Sequence, residues 1–330
     1  MTTSLLERYQ GALLGTLCGD ALLAPYEWSW PPEAIKADIE RRGGLVAHEY
    51  EPFDYIEPWK AKRTIPAGQP TDDSELAAAL AESLVSKGEL DPRDLYYRLR
   101  SFIHGRKSIL TDIAYGIGGT LSDALSSDTY EMSLERFAQG EVKTPPSNGS
   151  LMRCIPIPLF YFNKRFLALV DAARTQSLVT HRNPACVAAC IAYSIYVRSI
   201  LDGLGPARAA VRMLRDLSSR EVERSSAIDE VLELDFSQPP TWEEIEPQKG
   251  SVMLSLRIAI WASIDAKDFA DGIIKVGLLG GDTDTYGAIA GGILGAHFGV
   301  QGIPEKWSSV MKGRAKMLDL ADQLDELAYA

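Results

Sequence analysis

A chain of 330 residues with 46% hydrophobic and 24% charged residues has the composition of a soluble globular protein and can bury a large core. Its formal net charge of −11 argues against direct nucleic-acid binding, because phosphate backbones attract basic surfaces. No signal peptide is visible and no uncharged apolar run reaches the roughly 20 residues of a membrane span, so a cytoplasmic protein without a membrane partner is expected.

The hydrophobic pattern predicts helices along the chain and no clear strand. The strong helix predictions cover residues 5–24, 74–87, 167–178, 184–201, 206–217, 251–264 and 269–278, with others beginning at 92, after 282 and at 305. A short helix is predicted around 33–42, and further helices at 114–126 and 133–139. These elements predict an all-α fold, a single compact multi-helix orthogonal bundle that forms one domain over residues 1–330.

Two segments are predicted as irregular. Residues 28–70 are rich in proline, aromatic and charged residues and are interpreted as a long functional loop, because a loop of this length inside a compact domain is usually functional or disordered. Its aromatic residues favour packed cover over disorder. Residues 218–249 are polar and acidic and are predicted to lie on the surface. The four cysteines stand in apolar contexts without a Cys-x-x-Cys pair and are predicted to be buried free thiols; they are Cys18, Cys154, Cys186 and Cys190.

The segment Gly280-Gly281-Asp282-Thr283-Asp284-Thr285 is the densest group of reactive side chains in the chain. Asp282 and Asp284 cannot share one face of a helix, but they can converge in the turn that begins it. There, side-chain oxygens meet free backbone N–H groups and the positive end of the helix dipole. Oxygen ligands of this kind suit hard cations such as magnesium, manganese or calcium, although Asp and Thr are also ordinary helix caps.

A second acidic segment, Thr71-Asp72-Asp73-Ser74-Glu75, opens another alanine- and leucine-rich helix. Two such helix starts facing each other could hold a pair of metal ions. An EF-hand loop is excluded, because Tyr286 and Ile293 stand where oxygen ligands would be needed. Phosphatases and glycosyltransferases with an Asp-x-Asp motif are distant alternatives, because their folds contain strands that this sequence does not show.

Three further features are ambiguous by themselves. The segment 147–153 is an ordinary loop or a backbone cradle for phosphate or ribose. His181, just before a helix, is more often a cap or a packed residue than a site residue. Glu27 follows a proline turn, where a surface position is the ordinary expectation.

Together these residues resemble the ADP-ribosylglycohydrolase family, which includes the dinitrogenase-reductase-activating glycohydrolases. The matching pieces occur in the same order with similar spacing over residues 8–307. They are Gly15-x3-Gly19-Asp20-Ala21 with Pro25-x-Glu27, Thr71-Asp72-Asp73, Asn148-Gly149 with Met152-Arg153, Thr180-His181-x-Asn183-Pro184, and Gly280 to Thr285. Two departures are Ser74 and Leu23, where the family often has Thr and Gly.

The resemblance implies an all-α fold with a cleft for two Mg²⁺ (or Mn²⁺) ions. It implies metal ligation by Thr71, Asp72, Asp73, Asp282, Asp284 and Thr285. It also implies ADP-ribose binding by Ser147, Asn148, Gly149, Ser150 and His181. Glu27, close to the reacting centre in some members, and Asp73 are the candidates for proton transfer.

The expected activity is metal-dependent hydrolysis of the glycosidic bond at C1″ of ADP-ribose attached to a protein side chain. The transition state of such a cleavage has oxocarbenium character, and metals that hold the ribose can orient the attacking water. Arginine is the linkage that the bacterial members imply; serine-linked or other ADP-ribosyl conjugates stay open. The alternative function is an ADP-ribose-binding module with the same fold, and release of ADP-ribose from a modified target separates the two.

Overall fold

The structure is a computed structural model, and it describes residues 3–51, 64–105, 107–114 and 116–328. Over these residues it contains helices and no strand. Two isolated antiparallel bridges, Tyr50–Ile65 and Ser147–Ser251, are its β-type pairs. The predicted all-α fold is confirmed for the described part of the chain.

The first half of the chain supplies six α-helices. They are α1 Leu5–Leu23, α2 Pro32–Arg41, α3 Asp72–Lys87, α4 Pro92–Ile103, α5 Gly119–Ala124 and α6 Tyr130–Ala138. The chain continues with α7 Pro156–Phe160, α8 Phe166–Leu178, α9 Pro184–Leu201, α10 Pro206–Leu217, α11 Ser226–Leu232, α12 Trp242–Ile245, α13 Val252–Asp265, α14 Phe269–Gly277, α15 Thr283–Phe298, α16 Glu305–Ser308 and α17 Arg314–Ala328. The predicted helices at 184–201 and 206–217 have the predicted bounds.

Some helix predictions need correction. The helix predicted at 114–126 is reduced to α5, and the chain before it contains Gly116 with φ +80°, which a continuous helix cannot accommodate. The acidic segment 218–249 includes α11 and α12, which bury Val231 and Ile245. The short α7 was not predicted, because two of its five residues are prolines.

The aromatic loop after α1 is only partly described. It contains α2, as predicted. Trp28 and Trp30 are 44% and 37% exposed, and the Trp30 ring packs edge to face against the buried Tyr26 ring at 5.7 Å. The part of the packed-cover prediction concerning Phe53, Tyr55 and Trp59 lies outside the described residues.

The hydrophobic core is built around the antiparallel pair α1 and α15. Each of three glycines on α1 lies against a glycine on α15 so closely that a Cβ on either would overlap the other's carbonyl oxygen. Small residues allow two helix backbones to approach in this way. The pairs are Gly11 with Gly295, Gly15 with Gly291, and Gly19 with Gly287. This packing brings the end of α1 to the beginning of α15.

By length and composition α9, Pro184–Leu201, could cross a membrane, but 83% of it is buried inside the protein. Such burial is typical of a core helix. The four cysteines are buried and free, which confirms that prediction.

Candidate active site

The beginning of α15 places two carboxylates at one point. Gly280 and Gly281 have φ +71° and +87°, a conformation that turns the chain sharply into the helix. Asp282 is the N-cap residue, and Asp284 lies in the first turn, where its Oδ1 accepts a hydrogen bond from the Thr285 N–H at 2.8 Å. The two carboxylates therefore converge in the turn, as the sequence predicted.

Glu27 joins them from the end of α1. Carboxylate oxygens of Glu27, Asp282 and Asp284 all lie within 4.8 Å of one another. The Trp28 N–H donates to the Gly281 carbonyl oxygen at 2.7 Å, which ties the Glu27 segment to the turn before α15. Among the described residues, Trp28 (φ +60°) is the one non-glycine residue with a positive φ, so the tie holds a strained backbone.

This geometry changes the interpretation of Glu27 in one respect. A surface position was the ordinary expectation for Glu27, whereas the structure places its carboxylate within 4.8 Å of those of Asp282 and Asp284. Burial and the charges of Asp282 and Asp72 raise the pKa of Glu27 well above its usual range, while a hydrogen bond from the Trp28 side chain opposes the rise. After burial, neighbouring carboxylates are therefore the main cause of the raised pKa of Glu27.

The beginning of α3 supplies the second pair of carboxylates. Thr71 is the N-cap residue, and its Oγ1 accepts a hydrogen bond from the Asp73 N–H at 3.3 Å. Asp72 and Asp73 follow in the first turn and are 7% and 2% exposed. A Cβ on Gly116 would overlap Asp72 Oδ1, so the chain before α5 closes over this carboxylate.

Asp20 of α1 lies beneath the start of α3 and was assigned no role in the sequence analysis. It is fully buried and accepts hydrogen bonds from the Thr71 N–H at 3.1 Å, and from the N–H and Oγ of Ser74 at 3.1 and 2.5 Å. Ser74, the departure from the family's usual Thr, still supplies the hydroxyl for this contact. Asp20 thus fixes the turn that carries Asp72 and Asp73. Its position beside Gly19 in the motif shared with the family was the sequence feature that could have indicated this role.

Leu23, the second departure, is accommodated by glycines. Its side chain is buried, and a Cβ on Gly277 or Gly287 would come within 2.6 or 2.9 Å of its Cδ atoms. Its carbonyl oxygen accepts a hydrogen bond from Thr283 Oγ1 at 2.9 Å. The larger residue therefore packs between α14 and α15 and leaves the Glu27 turn attached to α15.

We call the six acidic side chains at these helix ends the carboxylate cluster: Asp20, Glu27, Asp72, Asp73, Asp282 and Asp284. Burial raises the pKa of Asp20 and of Asp282 to about 6. Burial, followed by the charge of Asp20, raises the pKa of Asp72 to about 7. Burial and neighbouring carboxylates raise the pKa values of Asp73 and Asp284 well above their usual range.

The carboxylate cluster lacks a counter-charge in the described part of the chain. No lysine, arginine or histidine there forms an ion pair with any of its members. Asp73 Oδ1 is buried and has no hydrogen-bond partner. Buried carboxylates are normally paired or bound to a cation, and an all-oxygen donor set suits Mg²⁺ or Mn²⁺. The residues present therefore fit the metals that the sequence analysis expected.

The 147–150 loop borders the carboxylate cluster. Asn148 Nδ2 donates to Asp282 Oδ2 at 2.7 Å and to Ser255 Oγ at 3.0 Å, so this residue orients a carboxylate as well as lining the site. Ser147 Oγ lies 3.0 Å from Thr120 Oγ1, and Ser150 Oγ lies 2.9 Å from Ser177 Oγ. These contacts hold the loop between α5, α8 and α13.

His181 lies against the same loop. A Cβ on Gly149 would be 2.8 Å from His181 Nε2, so glycine is required for the ring to sit beside the backbone. The structure thus places the predicted ADP-ribose residues next to the predicted metal residues, although they come from distant parts of the sequence.

The chain is similar to proteins of known family. The family model described as ADP-ribosylglycohydrolase matches residues 1–330. The chain is 27% identical to an ADP-ribosylarginine hydrolase Tri1 of Pseudomonas putida, over 98% of this chain and 81% of that protein. It is 26% identical to the ADP-ribosyl-[dinitrogen reductase] glycohydrolase of Rhodospirillum rubrum, over 97% of this chain and 95% of that protein.

Two further relatives extend the comparison. The ADP-ribosylhydrolase ARH3 of Xenopus tropicalis is 24% identical over 97% of this chain and 95% of that protein. A solved structure titled ADP-ribosylglycohydrolase-related protein complex superposes with a TM-score of 0.72 and 28% identity, covering 99% of this chain and 100% of that chain. The chain therefore belongs to the ADP-ribosylglycohydrolase family and is an enzyme of ADP-ribosyl hydrolysis.

Proposed function

We propose that this enzyme is a metal-dependent hydrolase that removes ADP-ribose from arginine side chains of modified proteins. The observation that carries the proposal is the carboxylate cluster: five of its six members are buried, it lacks a counter-charge in the described chain, and it borders the 147–150 loop. Arginine is favoured as the linkage because a similar protein that matches nearly the whole chain is named an ADP-ribosylarginine hydrolase.

Metal dependence is supported by the chemistry of the donor set. Thr71, Asp72, Asp73, Asp282, Asp284 and Thr285 would hold the ions, and each offers an oxygen at a helix start. When bound, two divalent cations would neutralise the carboxylates, bind ribose hydroxyls and polarise a water.

The protein's own side chains would orient the two helix starts, transfer the proton and hold the ADP-ribosyl group. Asp20 and Asn148 fix the orientations of the two helix starts through the hydrogen bonds described above. Burial and neighbouring carboxylates raise the pKa values of Glu27 and Asp73, so both are candidates for transferring the proton. The 147–150 loop and His181 would hold the ADP-ribosyl group so that C1″ faces these carboxylates.

The experiment is a substrate panel. Proteins or peptides with arginine-linked or serine-linked ADP-ribose, and a nucleotide-linked conjugate, are incubated with the enzyme, with and without Mg²⁺, and free ADP-ribose is measured. The proposal expects fastest release from the arginine-linked substrate and loss of release in EDTA. Preferential release from another conjugate would contradict the arginine assignment, and undiminished release in EDTA would contradict metal dependence. Binding of ADP-ribose without release from any conjugate would favour a binding module.

A further inference from the structure

Arg153 is a buried cation whose partners are all neutral. Its side chain is fully buried, and it forms no ion pair within the described residues. Arg153 Nη2 donates to the Gln176 carbonyl oxygen and to Thr180 Oγ1, both at 2.9 Å, and Nε donates to Gln176 Oε1 at 3.1 Å. We call Arg153, Gln176, Thr180 and His181 the arginine cluster.

Thr180 connects Arg153 to His181. Its Oγ1 lies 2.8 Å from His181 Nδ1 and accepts from Arg153. Thr180 is fully buried, so its own hydroxyl proton needs an acceptor nearby. If His181 Nδ1 carried a proton, the Thr180 oxygen would accept twice and its proton would have no acceptor among the described residues. The hydroxyl therefore donates to Nδ1, which must be unprotonated.

The His181 ring is neutral and has one proton to place. Burial and the charge of Arg153 lower the pKa of His181 well below its usual range. With Nδ1 acting as acceptor, the ring proton must be on Nε2. No described residue accepts a hydrogen bond from Nε2, although His181 is only 1% exposed. This atom lies beside Gly149, next to Asn148 and its contact with Asp282.

We propose that Thr180, oriented by Arg153, is a positioning residue that fixes His181 as an Nε2–H donor to an oxygen of the bound ADP-ribosyl group. Only the identity of the ligand rests on the proposed function. The backbone of His181 is fixed as well: its N–H donates to the Ser177 carbonyl oxygen at 2.7 Å, and Ser177 Oγ donates to the His181 carbonyl oxygen at 3.0 Å. The site therefore offers one donor in one orientation.

The test begins without substrate turnover. The imidazole nitrogens of ¹⁵N-labelled protein are observed by long-range ¹H–¹⁵N correlation NMR, and the four histidines are distinguished by a His181→Gln variant. We expect the His181 ring to be neutral with the proton on Nε2, and the Nε2 signal to shift when ADP-ribose is added. A proton on Nδ1 in the ligand-free protein, or an Nε2 signal that ADP-ribose does not move, would overturn the proposal.

The variants Thr180→Val and Thr180→Ser separate the hydroxyl from packing. Valine keeps the shape but removes the donor, so His181 is expected to populate both tautomers and the Kd for ADP-ribose to rise about tenfold, the scale of one lost hydrogen bond. Serine keeps the hydroxyl and should preserve the tautomer and the affinity. Equal affinity in the two variants would overturn the proposal. Since none of these measurements requires hydrolysis, an inactive substrate panel would refute the proposed function without affecting this result.

Discussion

The arginine cluster and the carboxylate cluster are neighbouring polar regions that differ in how their charges are compensated. The arginine cluster has one cation, and the chain itself supplies carbonyl, amide and hydroxyl acceptors for it. The carboxylate cluster has six acidic groups and no basic partner in the described chain, with one oxygen of Asp73 left without a hydrogen bond. Burial of a charge therefore does not by itself indicate a ligand site. Buried carboxylates without a basic partner do indicate one, because they are normally paired or bound to a cation.

The largest effect is expected from removing one carboxylate of the carboxylate cluster. Asp72→Ala or Asp284→Ala should abolish metal binding and lower the hydrolysis rate by about a thousandfold or more, because a metal ion supplies several kcal/mol of transition-state stabilisation. Calorimetry with Mg²⁺ and a turnover assay measure both effects. Asp171→Ala, at an exposed position on α8, is the control. Unchanged metal affinity in both site variants would remove the metal hypothesis.

A substitution in the arginine cluster should lower the free energy of unfolding and leave metal binding nearly unchanged. Arg153→Met leaves the buried acceptors of Gln176 and Thr180 without their donor, and we expect a loss of about 3 kcal/mol in the free energy of unfolding. Mg²⁺ affinity should change less than about twofold, because the residue does not touch the carboxylate cluster. Urea unfolding and calorimetry give the two values, with the exposed Arg220→Met as control. A large loss of metal affinity in a folded Arg153→Met protein would show that the arginine cluster and the carboxylate cluster are not independent.

Glu27 tests how roles are divided within the carboxylate cluster. Glu27→Gln is expected to retain Mg²⁺ and ADP-ribose binding while lowering the hydrolysis rate by about 100-fold, the scale of a lost general base. Glu33→Gln, an exposed glutamate on α2, provides the matched control. Near-normal turnover with an unchanged pH profile would assign proton transfer to Asp73 or another carboxylate. Lost metal affinity would instead make Glu27 a ligand.

Because the carboxylate cluster has no basic partner in the described chain, the stability of the metal-free protein should depend on pH. The folded-state pKa values of Asp20, Asp72 and Asp282, about 6, 7 and 6, lie above the ordinary value of 3.8. The folded protein therefore binds more protons than the unfolded one, and this stabilising contribution is complete below about pH 4 and lost as pH rises through 6 to 7.

In EDTA, the free energy of unfolding should fall by several kcal/mol between pH 5 and pH 8, because three groups titrate in this interval and each pH unit of a raised pKa is worth about 1.4 kcal/mol. Mg²⁺ at pH 8 should restore the stability. Urea titrations at both pH values measure this change. Asp72→Asn should flatten the dependence, whereas Asp171→Asn should preserve it. Stability of the metal-free protein that increases over this interval would show that the carboxylates are not held at a cost.

The smallest expected effect concerns the boundary between the two regions. Gly149→Val would place carbon within 2.8 Å of His181 Nε2 and should weaken ADP-ribose binding about tenfold, with metal binding retained. Gly205→Val is the matched control, because a Cβ at Gly205 meets no atom within 4 Å. Unaltered affinity for ADP-ribose would reduce the 147–150 loop to a connector.

Much of the fold was accessible from the sequence, because helix periodicity and caps are local properties. The bounds of α9 and α10 were predicted correctly, and the two acidic helix starts were recognised from their residue types. The contact of Glu27 with Asp282 and Asp284 was not, since it depends on how α1 packs on α15. Asp20 stood in the matched motif but was given no role for the same reason: its contacts with the N–H and hydroxyl groups of Thr71 and Ser74 depend on how α3 packs on α1.

The glycine-paired contact between α1 and α15 has a consequence for the order of events during synthesis. Its two helices comprise residues 5–23 and 283–298, so the first emerges from the ribosome when the second has yet to be made. Until then, the glycine face of α1 has no partner, and Asp20 and Glu27 lack the carboxylates with which they share the site. Because closing contacts between such distant segments is slow, the carboxylate cluster assembles late, after nearly the whole chain has been translated.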